Sequence, residues 1–184
     1  MTDRPGTRQL MFAFVRAINT GGRRLTNDQL LEPFRAAQLD DVAAYQAAGN
    51  VVFRSDRSPD DLEPELTEAL TQGYGFEAPV FVRSATDLRA RVTELPFSAG
   101  LVALTQGKAQ ITFMATAPTA AQIADALALV PTEDHVAFDG RDWLWLPRAG
   151  VSDSALPVTR IERIVGPMTM RTVGTVQRML ARFG

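Results

Sequence analysis

The feature that most constrains the fold is an order of elements that runs through the chain twice. Residues 10–16 read as a first strand, apolar at every position before Arg16, which predicts burial on both faces. A helix follows from Thr26 or Asn27, either a good N-cap, with Leu30, Phe34 and Ala37 on one stripe. Residues 41–47 and 51–54 form a hairpin around Ala48-Gly49-Asn50, where glycine and asparagine tolerate positive φ. Ser58-Pro59-Asp60-Asp61 opens a second helix, with proline and acids in the first turn. Leu62, Leu66, Ala69 and Leu70 face inward, and Gly73 and Gly75 end it. A strand over 78–84 and a helix over 86–95, stopped by Pro96, complete the set.

The order then starts again. Residues 110–115 read as a strand, and 119–130 as a helix with Ile123, Leu127 and Val130 in register. Residues 135–138 and 142–146 make a hairpin around Asp139-Gly140-Arg141. A helix at 158–165, a short strand at 168–171 and a last helix at 172–183 follow. Each half reads β-α-β-β-α-β with a trailing helix, the split β-α-β, ferredoxin-like arrangement. The expected fold is therefore α+β, a tandem duplication of two ferredoxin-like βαββαβ halves. The halves span 1–98 and 108–184, form one compact unit, and are divided by a loop over 96–108. They share architecture without clear residue identity.

In that arrangement the first two strands are parallel and the third lies antiparallel between them. The end of the first strand then adjoins the hairpin between the second and third. Two short stretches meet there: Arg16-Ala17-Ile18-Asn19-Thr20-Gly21-Gly22-Arg23-Arg24 and Tyr45-Gln46-Ala47-Ala48-Gly49-Asn50. Together they carry three arginines, two asparagines, a glutamine and three glycines. Backbone N–H groups of a Gly-Gly turn ahead of a helix favour a phosphate or carboxylate. Arg16, Asn19, Gly21, Gly22, Arg23, Gln46 and Asn50 are the candidate ligand-binding residues. The spacing is not that of a Walker loop, and G-x-G-x-x-G is absent. The plainer alternative is a turn at Gly21-Gly22, an Asn50 that caps a hairpin, and solvated arginines.

Composition removes whole classes of chemistry. With no cysteine there are no disulfides, thiolate nucleophiles, iron–sulfur clusters or cysteine-ligated zinc. His135 is the one histidine, which excludes multi-histidine metal sites within a chain, and it reads as a solvated strand-edge residue. Nineteen basic and 21 acidic residues give a net charge of −2, which argues against a general attraction to nucleic acid or anionic membrane. Lys108 is the only lysine, so the arginine bias reflects genome composition more than arginine-specific chemistry, and each arginine is weaker evidence for phosphate binding than it looks. The apolar run at 10–15 is far short of a membrane span or a signal peptide, and the expectation is a soluble, cytoplasmic protein.

Three other features read as structural. Phe12 with Phe14, and Trp143 with Trp145, could stack bases on an open sheet, but the glycine-rich RNA-recognition signature is missing and both faces are apolar. Core packing is the expectation. Asp60, Asp61, Glu63, Glu65 and Glu68 read as a solvated helix face favoured by the dipole, not as metal ligands. Net charges of −5 over 55–72 and +4 over 154–184 are weak evidence for pairing between halves or subunits.

The segments Arg16-Ala17-Ile18-Asn19-Thr20-Gly21-Gly22, Gln46-Ala47-Ala48-Gly49-Asn50-Val51-Val52-Phe53 and Thr169-Met170-Arg171, followed by Thr175-Val176, resemble the signature segments of the bacterial family catalogued as domain of unknown function 1697. The resemblance spans nearly the whole chain and implies a tandem α+β fold. It carries over no catalytic residue. The chain departs from the family pattern at Ala17 (usually glycine), Ala48 (usually serine) and Thr172-Val173 (often Asn-Trp).

No nucleophile, base and orienting group are assembled in the sequence, and no catalytic, metal or cofactor residue is assigned. The expected function is non-enzymatic binding of a small phosphate- or carboxylate-bearing ligand or partner. The alternatives are an enzyme acting on a phosphorylated or carboxylated small molecule, and a nucleic-acid-associated protein. Self-association is left open.

Overall fold

The computed structural model describes residues 8–16, 25–46, 48–105 and 108–184. These form two four-stranded antiparallel sheets and, among the described residues, seven helices, a mixed α+β architecture. The chain divides into two compact units, Met1–Leu88 with Phe183–Gly184, and Arg89–Arg182.

The first unit contains β1 (Gln9–Val15), α1 (Asn27–Ala36), β2 (Asp40–Ala44), β3 (Asn50–Ser55), α2 (Pro59–Tyr74), β4 (Val80–Ser84) and the start of α3 (Ala85–Thr93). Its sheet order is β2-β3-β1-β4. Met11, Ala13, Val15, Val51, Phe53, Val80 and Val82 pack with Leu30, Leu31 and Phe34 of α1 and with Leu62, Leu66 and Leu70 of α2. Alternation along a strand puts Phe12, Phe14, Val52 and Phe81 on the opposite face, and these are buried too. The unbroken apolar run of β1 thus marks a strand buried on both faces.

The α2 helix does more than cover the sheet. Among the described residues, edge strand β4 pairs only with β1, so every second N–H along it points away from the ladder. Glu63, Thr67 and Thr71 repeat at i, i+4 and i+8 on α2 and share one face. Glu63 Oε1 accepts from Val82 N–H at 2.8 Å, Thr67 Oγ1 from Val80 at 2.9 Å, and Thr71 Oγ1 from Ala78 at 3.3 Å. This polar rail satisfies the open edge, where unpaired buried amides would be destabilising.

The second unit contains α4 (Ala99–Leu104), β5 (Gln110–Met114), α5 (Ala120–Leu127), β6 (His135–Asp139), β7 (Asp142–Leu146), α6 (Val158–Val165), β8 (Met168–Thr172) and α7 (Val173–Phe183). Its sheet order is β6-β7-β5-β8. Trp143, Trp145, Met114 and Met168 pack with Ile161 and Val165 of α6 and Ala126 of α5. The two tryptophans are core residues, and Trp143 stacks on Phe138 with ring centroids 5.4 Å apart. His135 lies on β6, at the edge of its sheet.

The two units match in fine detail. Thr26 and Gln29 form a capping box at the start of α1, and Thr119 and Gln122 form the same box at the start of α5. The caps have φ/ψ of −68/162 and −69/162. Val15 N–H donates to Gly49 O at 2.7 Å as Met114 N–H donates to Arg141 O at 2.8 Å. Arg16 N–H donates to Pro79 O at 2.9 Å as Ala115 N–H donates to Pro167 O at 3.2 Å. Ser84 Oγ caps Asp87 N–H at 3.0 Å, and Thr172 Oγ1 caps Thr175 N–H at 3.1 Å.

Two readings of the sequence need correction. The segment 96–108 is not wholly loop: Ser98 Oγ accepts from Leu101 N–H and starts the short α4, an N-cap signal overshadowed by Pro96 and the glycines. In the β2–β3 turn, Gly49 and Gln46 take positive φ (71° and 57°), whereas Asn50 already belongs to the strand.

Candidate functional site

The end of β1 and the β2–β3 turn come together as expected. The bond from Val15 to Gly49 ties them, with Gly49 in the left-handed region that a side chain would strain. Tyr45 N–H donates to Asn50 O at 2.8 Å and closes the turn. Asn50 is fully buried, and its Nδ2 donates to Tyr45 O at 3.3 Å. Its amide is therefore engaged in the turn itself. Gln46 is exposed. Arg16 is half-buried, and its backbone extends the β1 ladder through Pro79. Asn19, Gly21, Gly22 and Arg23, with Ala47, lie outside the described residues.

The same corner of the second unit is built differently. Phe14 lies opposite Asn50 across β1 and β3, and Phe113 lies opposite Asp142 across β5 and β7. Asn50 and Asp142 therefore hold one register position, each first in its strand and each buried. Asp142 accepts from Arg91 Nε at 3.3 Å, and the Arg91 guanidinium also pairs with Asp139. Ala115 stands where the first unit has Arg16. The connections differ in length as well. Residues 16–25 join β1 to the Thr26 cap, and only 115–118 join β5 to the Thr119 cap. Residues 45–49 join β2 to β3, and only 140–141 join β6 to β7.

The acidic cluster on α2 is not uniformly solvated. Asp60, Asp61, Glu65 and Glu68 are exposed, and Glu65 pairs with Arg57, whose hydrogen bond holds the carboxyl below its ordinary range. Glu63 departs from the expectation. It is buried and meets the buried Arg83 at 3.0 Å. Its position beside the Leu62, Leu66 and Leu70 stripe was the available signal, masked by the four neighbouring acids. Among the described residues, no group of three or more acids or histidines is placed to hold a metal ion.

Sequence reasoning also missed a hub in the second unit. The buried Asp134 accepts from Trp145 Nε1 at 3.0 Å, Arg148 N–H at 2.9 Å and Ser154 Oγ at 2.5 Å. No local pattern joins residues 20 positions apart. Arg171, from the third signature segment, donates to Thr169 Oγ1 at 2.9 Å and Met170 O at 2.8 Å. Burial pushes its guanidinium down to about 10.

The sheets and their covering helices define a mixed α+β protein. The chain belongs to the family described as "Protein of unknown function (DUF1697)", which matches residues 9–143. That match takes in the first two signature segments and not the third. In fold the chain is similar to the conserved bacterial protein SP0830 from Streptococcus pneumoniae, with a TM-score of 0.75 and 18% identity over 96% of this chain and 98% of the other. No curated protein matches the chain. Among the described residues, no helix is long and apolar enough to cross a membrane.

Proposed function

We propose that this chain is a non-enzymatic protein that binds a small phosphate- or carboxylate-bearing ligand at the corner formed by the β1–α1 connection and the β2–β3 turn. The scaffold is read as two ferredoxin-like halves arisen by duplication. The strand orders β2-β3-β1-β4 and β6-β7-β5-β8 support this, as do the paired capping boxes and the paired bonds at Val15 and Met114. The similarity to a bacterial protein and the absence of cysteine suit a bacterial, cytoplasmic origin.

One observation carries the reading: the difference between equivalent corners. A shared scaffold explains what the halves have in common, so what one half has alone calls for another explanation. The first half alone has both longer connections. It has Arg16, Arg23 and Arg24 where the second has Ala115 and a short link, and Asn50 where the second has Asp142. The change is toward positive charge and toward backbone donors from Gly21-Gly22, which suits an anion. Arg16, Asn19, Gly21, Gly22, Arg23 and Gln46 are the proposed contacts, and Asn50 shapes the β2–β3 turn.

The test is thermal unfolding in inorganic phosphate, pyrophosphate and citrate. A ligand that binds only the folded state raises the melting temperature with concentration. Protection by at least one of these, lost in Arg16→Ala, is the expected result. No protection in any of them would sink the reading, and protection only by single-stranded oligonucleotides would favour the nucleic-acid alternative.

A further inference from the structure

We propose that the outer edge of β6 is an association surface, and that its occupant is β6 of a second copy of this chain. Within the first unit both sheet edges are closed to pairing. The β4 amides are answered by Glu63, Thr67 and Thr71 of α2. The β2 ladder shifts register between Asp40 and Ala43, with Asp41 at φ 51°, and such a bulge spoils an edge for a further strand. The β6 edge carries no such device. Its residues pair with β7 without a break, from His135 opposite Leu146 to Asp139 opposite Asp142. All are half-buried or exposed, whereas β5 and β7 are buried throughout.

Which backbone groups face outward follows from the neighbouring ladder. Met114 N–H donates to Arg141 O, so Arg141, Trp143 and Trp145 turn their backbone groups toward β5. Asp142, Leu144 and Leu146 turn theirs toward β6, where they stand opposite Asp139, Ala137 and His135. The N–H and C=O groups of Val136 and Phe138 are left pointing away from the sheet. Among the described residues, neither N–H has an acceptor.

The strand matches itself. In an antiparallel pairing about a two-fold axis at Ala137, every residue of β6 is opposed, and no other two-fold register achieves that. Val136 of each copy then meets Phe138 of the other in a pair that exchanges both main-chain hydrogen bonds. Both side chains already pack against the core of Trp143 and Trp145, so the apolar layer continues across the axis. On the other face Ala137 meets Ala137, with no bulk at the axis. His135 meets Asp139 there, a donor opposite an acceptor, at the closely spaced positions of the ladder. Asp139 engages Arg91 through Oδ2 and its side chain is 60% exposed, which leaves the other oxygen for the imidazole.

A strand of 5 residues buries little area, so the association is weak, with a dissociation constant on the order of 100 µM. The full chain is followed by sedimentation equilibrium and amide exchange between about 10 µM and about 1 mM. At that constant the monomer fraction falls from about 0.85 to about 0.2. The Val136 and Phe138 amides should therefore exchange roughly fourfold more slowly at the upper concentration, while the β2 amides stay unchanged. Val136→Pro removes an outward N–H and leaves the β7 ladder intact. Ala137→Lys sets two like charges across the axis. Each variant should stay monomeric at about 1 mM with the circular dichroism of the wild type, and the second decides if the first does not fold. A wild type that remains monomeric at that concentration would overturn the inference. So would a dimer that persists in a folded Ala137→Lys, or one that leaves the Val136 and Phe138 amides as fast as before.

Discussion

Glu63 on α2 and Arg83 on β4 form a buried ion pair at 3.0 Å, and the same carboxylate oxygen accepts from Val82 N–H at 2.8 Å. The guanidinium also donates to Val82 O at 2.8 Å. One acid thus fastens a helix to the open edge of a sheet and answers a buried charge. Glu63→Ala should destabilise the protein by about 3–5 kcal/mol, because it leaves a buried guanidinium and a buried amide without this acceptor. The double variant Glu63→Leu/Arg83→Met should recover part of that loss. Urea unfolding of the single and double variants checks both, and a single variant within about 1 kcal/mol of wild type would contradict the assignment.

Thr67 and Thr71 extend the same rail to Val80 and Ala78. Thr67→Val keeps the shape of the side chain and removes the acceptor, so the Val80 amide loses its partner at the sheet edge. The expected loss is about 1–2 kcal/mol. Native-state hydrogen exchange gives a sharper readout: the Val80 amide should exchange faster in Thr67→Val while that of Phe81 changes with global stability alone.

Gly73 and Gly75 stand two residues apart and should respond to alanine with opposite sign. Gly73 lies inside α2 with open space where a Cβ would stand, so alanine should stabilise by about 0.5–1 kcal/mol. Gly75 caps the helix at φ 70° and also has open space around it, so the penalty there is purely of backbone conformation. Gly75→Ala should destabilise by about 1 kcal/mol. Chemical denaturation of both variants tests the pair, and two shifts of the same sign would contradict it.

The two capping boxes should behave alike. Thr26→Ala and Thr119→Ala each remove an acceptor for the third helical N–H, at 3.2 Å and 3.3 Å respectively. Each should lower the stability of its own unit by about 1 kcal/mol. Amide exchange in α1 and in α5, followed separately, shows whether the two caps contribute within about 0.5 kcal/mol of each other.

The candidate corner was partly legible. The order of elements placed the end of β1 beside the β2–β3 turn, and the Val15–Gly49 bond lies there. The use of the Asn50 amide was not legible, because asparagine in a Gly-Asn turn suits positive φ, a ligand or a cap equally well. The backbone decided it: Gln46 and Gly49 took the left-handed positions, and Asn50 joined the strand with its amide aimed back at Tyr45.

The chain's own sequence determined what depends on near neighbours. Apolar period, the Thr-x-x-Gln boxes, the proline stops and the glycine turns act over a few residues, so strands, helices and their repeated order could be read directly. Only the tertiary structure decided which polar side chains are buried and what they meet. Glu63 is one of five acids on one helix, and its place beside the Leu62, Leu66 and Leu70 stripe hints at burial without saying what it meets. It is distinguished by a strand edge some 20 positions later, whose unpaired amides and buried arginine can be answered only by a group that the packing of α2 brings within 3 Å.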